Sequence, residues 1–140
     1  MLKCQAKPIK TVCSVAAPQN CSIIYFMRIL EHPITKAELI KASSNFIEEN
    51  AIKAAVDIKR EIVAVDSPMH YDCEQLLLEN GSAQADIWGI NLYLDENDID
   101  DIVEFDSMIN IRPSQGNRSR GVEDEAIQTK IKEIVSKWLR

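Results

Sequence analysis

Three polar residues, Lys59, Arg60 and Glu61, are all that separate the two β-branched runs of KAAVDIKREIVAVD, residues 53–66. Parallel strands need a crossover of roughly a dozen residues or more, so these runs must fold back on each other as an antiparallel hairpin. A second pair follows. In IWGINLYL, 87–94, the residues Trp88, Ile90, Leu92 and Leu94 alternate with Gly89, Asn91 and Tyr93. In DIVEFDSMINIR, 101–112, Val103, Phe105, Ile109 and Ile111 share a face with Ser107, opposite Glu104, Asp106, Met108, Asn110 and Arg112. Alternation of this kind predicts two half-buried strands, and the acidic connection LDENDIDD is short enough for them to pair antiparallel.

Three helices are expected around these hairpins. Thr35 and Glu38 have the spacing of a capping box and Ile34 and Leu39 that of a hydrophobic staple, which predicts a helix over 36–49 with Leu39, Ile40, Ala42, Phe46 and Ile47 as its apolar stripe. Behind Pro68 and a capping Asp72, CEQLLLEN runs into Gly81 as a short helix with a glycine stop. Over 123–139, Ile127, Ile131, Ile134, Val135, Trp138 and Leu139 recur at helical spacing, with Glu123, Asp124 and Glu125 at the start and Lys130, Lys132, Lys137 and Arg140 later, as the helix dipole favours. The order α-ββ-α-ββ-α makes the class α+β: a single domain whose antiparallel sheet of about four strands carries its helices on one face.

The N-terminal stretch differs in composition. From Met1 to Leu30 there is no Asp or Glu, while Lys3, Lys7, Lys10 and Arg28 are basic. Pro18, Gln19 and Asn20 interrupt the apolar patches, which argues against a secretory signal. Met27 opens MRILEHPITKAEL, which reads as a start, so 1–26 is expected to be a weakly ordered, dispensable extension and 27–140 the domain. The 140 residues are 46% hydrophobic, enough for one buried core without staples, and no run is long enough for a membrane span. Cys4, Cys13, Cys21 and Cys73 lack zinc-ligand spacing and read as free thiols of a cytoplasmic protein.

A net charge of −6 opposes general binding to nucleic acid, so any anion contact must come from a local patch. One such patch exists. RPSQGNRSRG, 112–121, holds Arg112, Arg118 and Arg120 with Gly116 and Gly121, and the helix that starts just afterwards adds free N–H groups. Arginine forks bind carboxylate or phosphate in two parallel hydrogen bonds, so these three residues, oriented by Asn110 and Asn117, form a candidate anion site. Glu123, Asp124 and Glu125 compete for the same arginines, so an internally neutralised loop is the plain alternative. No Walker or dinucleotide fingerprint is present.

DSPMHYDCE, 66–74, brings Asp66, His70, Asp72 and Glu74 together in sequence. His70 is the candidate general acid or base, with Asp106 the candidate carboxylate. Helix capping accounts for Asp72 and Glu74 without a site, and a metal reading would need a further ligand such as Asp57 or Asp106. The acidic run 95–106 lacks the glycine and terminal glutamate of a calcium loop and reads as a solvated turn. No metal and no cofactor is expected.

The strings LLLENGS at 76–82, WGINLY at 88–93 and EFDSMINIRPSQGNRSRGVED at 104–124 resemble a family of bacterial proteins carrying a domain of unknown function, over about residues 27–139. The resemblance implies a coherent domain and brings no activity with it. The sequence thus points to a small domain that binds a phosphate-bearing molecule or nucleic-acid end through 112–121, with phosphate-ester hydrolysis as the reaction class if it is an enzyme. The rival reading is a non-enzymatic interaction module, a homodimer or one half of a regulatory pair, that uses the same loop as a protein contact.

Overall fold

The computed structural model describes residues 27–140; the expected extension, 1–26, lies outside the described residues. In chain order the elements are β1 (Arg28–Ile29), α1 (Lys36–Ala42), β2 (Phe46–Glu48), β3 (Ala51–Asp57), β4 (Ile62–Ser67), α2 (His70–Glu79), β5 (Ile87–Tyr93), α3 (Ile99–Ile102), β6 (Val103–Glu104) and α4 (Glu125–Trp138). The hairpin demanded by the Lys59–Glu61 spacing is β3–β4, and β5 and β6 pair antiparallel as their short connection requires. The sheet runs β1-β4-β3-β5-β6, with β2 paired to β3. The class is α+β with an antiparallel sheet, as expected, but the sheet has six strands.

The layering also departs from the expectation. Helices lie on both faces, because β3 and β4 are apolar on both. On one side Ile52, Ala54, Val56, Val63, Val65, Trp88 and Ile90 pack with Leu39 of α1 and Ile131, Ile134 and Val135 of α4. On the other, Cys73 and Leu77 of α2 pack on Ala55, Ala64 and Ile87. Ala64, Ala55 and Gly89 are direct neighbours across three strands, a row of small residues that lets the second layer approach closely.

Two expected elements are shorter than the pattern suggested. The helix predicted over 36–49 begins on the Thr35–Glu38 capping box but ends at Ala42. Ser43, Ser44 and Asn45 favour caps and turns over helix interior, and the buried Asp66 carboxylate accepts the backbone N–H of Ser44 at 3.1 Å and of Asn45 at 2.9 Å. Phe46–Glu48 is then free to pair with β3. The strand predicted over 101–112 is a turn of helix, a two-residue strand, and a 3₁₀ turn at Met108–Asn110 capped by Ser107. Its alternation arises because the segment serves both layers, Val103 and Phe105 packing with the first and Ile109 with the second. No helix among the described residues is long and apolar enough to cross a membrane.

Glu61 fastens α4 to the hairpin. It sits in the β3–β4 turn at φ +59, ion-pairs with Lys130 and Lys137, and accepts the Trp138 indole N–H on its backbone carbonyl at 2.8 Å. The bonds from Lys130 and then Lys137 hold its carboxyl down to about 2 from the usual 4.5. A carboxyl depressed on folding stabilises above its unfolded value and loses that contribution as pH falls through the folded one. The stability difference between wild type and Glu61→Gln, read from urea midpoints, is therefore expected to be constant above about pH 5 and to shrink towards pH 2. A difference independent of pH would show that the ion pairs contribute nothing.

Candidate functional site

α2 is ten residues long and covers only part of its sheet face. Beyond Ser67, which is buried under the first turn of α2 and accepts the Cys73 thiol, the face is polar. Ser67, Lys53, Asn91 and Glu104 are successive register partners on four strands, so one row of polar side chains crosses the sheet beside the row of small residues. The row depends on a bulge: the register of β4 shifts between its partners Lys53 and Ala54, with Asp66 left over at φ +67, and the shift returns Ser67 to the α2 side. Lys53 and Asn91, with Tyr93, line a cleft of about 470 Å³. Its walls are the start of α2 with His70, the end of β2 with Glu48, and the segment after β5 with Glu104, Asp106 and Arg120.

Hydrogen bonds fix the histidine. His70 Nε2 lies 2.9 Å from the Ile90 carbonyl and 2.9 Å from Asn91 Oδ1. Asn91 is held in turn, since its Nδ2 donates to Glu104 Oε2 at 2.6 Å. Both atoms facing Nε2 are acceptors, so Nε2 carries the proton and Nδ1 is left as the basic atom of the ring. Burial pushes the His70 pKa below its ordinary value and the Lys53 ammonium adds to this, against the Ile90 carbonyl, Asn91 and Asp106. The ring is a neutral base at pH 7.

The other charges differ in how they are engaged. Arg120 Nε donates to Asp106 Oδ1 at 2.5 Å across a half-exposed pair. Glu104 also accepts the Tyr93 hydroxyl at 3.3 Å, and desolvation followed by the carboxylates Glu104 and Glu48 raises the pKa of that phenol. The Lys53 ammonium makes no hydrogen bond or ion pair among the described residues.

The structure brings together His70, Asp106 and Arg120 of the residues singled out by sequence, and separates the rest. Asn110 is buried, accepts the Gly89 N–H at 2.8 Å, and donates to the carbonyls of Gly89 and Arg120 at 2.9 Å each. Arg112 is buried over the Trp88 ring at 4.9 Å, donates to the Ile109 carbonyl at 3.0 Å and to that of Ile87, and faces Glu74 at 3.7 Å. Asn117 is buried as well: it donates to the carbonyls of Asn110, Ser119 and Gly121 and accepts the Glu123 N–H. These three tie the backbone of the loop and its flanks to itself and to β5, and are absent from the cleft walls. Arg118 is exposed outside the cleft, and its N–H, with that of Ser119, is accepted by Glu123.

The acids of 66–74 disperse too. Asp66 holds the Ser44 and Asn45 amides, Glu74 turns to Arg112, and Asp72 caps α2 from inside its first turn by accepting the Met69 N–H at 3.2 Å. No group of three or more His, Cys, Asp or Glu among the described residues is placed to hold a metal ion. Cys73, in the α2 core, is a buried thiol pushed up to about 12 by desolvation. Sequence reasoning missed Lys53, Asn91, Tyr93 and Glu104 as a group. The available signal was their period-two position as polar residues in otherwise apolar strands.

Comparison with curated proteins and with solved structures found no match. A family model described as a protein of unknown function, DUF5674, matches residues 28–138, which span every strand and helix described above and both sides of the cleft. The chain belongs to the DUF5674 family.

Proposed function

We propose that the cleft binds a small anionic molecule and that His70 moves a proton within it. The observation that carries this reading is the Glu104–Asn91–His70 relay, which fixes one tautomer of a neutral imidazole on the wall of a cleft that also holds Lys53 and Arg120. Arginine and lysine supply the anion contact, the second as a point charge. For a phosphate ester the chemistry is a hydrolysis: a water oxygen bonds to phosphorus while its proton passes to His70 Nδ1, the P–O ester bond breaks, and the imidazolium returns the proton to the departing alkoxide. The anion contact thus belongs to Arg120 and Lys53 instead of the whole loop 112–121.

The test is a thermal-shift panel of phosphate, pyrophosphate, nucleotides and short oligonucleotides, with release of nitrophenol from its phosphate ester as the activity readout. Ligand at a hundredfold its Kd stabilises by about 2.7 kcal/mol. Arg120→Met is expected to weaken binding by about tenfold, whereas His70→Gln keeps binding and lowers turnover by roughly 10²–10⁴. Silence across the panel overturns the reading. It would favour a protein contact, a second copy included, for which the exposed apolar side chains around the cleft speak and which a concentration-dependent mass in solution would reveal.

A further inference from the structure

The large apolar side chains that the fold leaves exposed are unevenly placed. Among the described residues there are six, and four of them, Ile47, Met69, Tyr71 and Met108, line this one cleft. Met69, Tyr71 and Met108 are each more than half exposed, at 60%, 57% and 64%. They come from different segments, the start of α2 and the 3₁₀ turn after β6, with Ile47 from β2. Scattered single exposures need no explanation, but convergence from three segments on one concavity marks a contact surface.

Floor and rim differ in chemistry. The floor holds Lys53, whose ammonium has no partner among the described residues, whereas Asp106 is paired with Arg120 and Glu104 is occupied by Asn91 and Tyr93. The volume, about 470 Å³, falls in the range of pockets that enclose drug-sized ligands and far exceeds what a bare phosphate fills. Methionine side chains adapt to the shape of an apolar group, and Tyr71 offers a flat ring.

We infer that the ligand is amphipathic, a phosphate monoester of an apolar alcohol, with its phosphate at Lys53 on the floor and its apolar group against Met69, Tyr71 and Met108 at the rim. The inference rests on the anion reading of the cleft and goes beyond it by naming the second half of the ligand.

Titration calorimetry with inorganic phosphate, phenyl phosphate and phenol, on the full chain carrying His70→Gln so that the ester is bound without being turned over, separates the two. Burial of the ring is expected to make phenyl phosphate bind on the order of 30-fold tighter than phosphate. The exposed-site variant Met69→Ser/Tyr71→Ser/Met108→Ser should lose that gain and keep the phosphate affinity, and Lys53→Gln should weaken both anions by at least about tenfold. Near-UV circular dichroism confirms that each variant is folded, and Lys53→Arg, which keeps the charge, should restore anion binding. Equal affinity for the two anions with the rim residues intact overturns the amphipathic ligand and leaves the anion reading standing. Phenol binding as tightly as its phosphate, or Lys53→Gln without effect, overturns the placement of the phosphate at Lys53. No binding by either anion overturns both.

Discussion

Gly89→Ala is expected to destabilise the protein by about 3 kcal/mol, at the upper end of the cost of overpacking a core. A Cβ at this position meets Ser107 Oγ at 2.5 Å, Ser107 Cβ at 2.7 Å and Ile109 Cγ1 at 2.9 Å. Ser107 cannot swing away, because it is fully buried and its hydroxyl accepts the Ile109 N–H at 3.3 Å. The backbone of Gly89 is clamped as well, its N–H and carbonyl both bonded to the Asn110 side chain. Relief therefore requires the segment 107–110 to move off the sheet, and that segment carries Met108 and the loop that presents Arg120. Urea unfolding measures the loss. A cost below about 1 kcal/mol would mean that this layer is loosely seated and the cleft wall plastic.

Arg112→Met is expected to cost about 3–5 kcal/mol, the range for removing one partner from a buried ion pair. Glu74 would be left with Gln84 as its remaining partner, at 3.4 Å, and the carbonyls of Ile87 and Ile109 would lose their donor. The second substitution decides between charge and packing. If the loss comes from the stranded carboxylate, Arg112→Met/Glu74→Leu should recover most of the stability, because a buried pair replaced by apolar groups is often neutral. Since Arg112 lies outside the cleft, whatever fraction of the single variant stays folded should bind anions as the wild type does. Weaker anion binding at unchanged stability would return Arg112 to the ligand site.

How far the sequence carries differs between elements. The β3–β4 hairpin follows from three residues of spacing, the start of α1 from Thr35 and Glu38, and α4 from the recurrence of Ile127, Ile131, Ile134 and Val135. The end of α1 does not follow, because Phe46 and Ile47 continue its apolar stripe and only the distant Asp66 carboxylate draws Ser44 and Asn45 out of helical geometry. The segment 101–112 misleads for a related reason. Its alternation is genuine, but it records a chain passing between two layers instead of a strand with one wet face.

The site divides in the same way. Of the residues that line the cleft, His70, Asp106 and Arg120 stand out in the sequence by residue type, since imidazole, carboxylate and guanidinium are the groups suited to proton transfer and anion contacts. Their polarity alone could not separate Arg120, which faces the cleft, from Arg112, which lies under the loop with Glu74 and Trp88. Sequence by itself determined what is local: the antiparallel pairings forced by short connections, the helix starts forced by capping, and the class these imply. Only the tertiary structure decided which polar groups meet. The row Ser67–Lys53–Asn91–Glu104 exists because three strand registers and the bulge at Asp66 agree, and register is set by burial of whole faces at once, a sum over contacts distant in the chain.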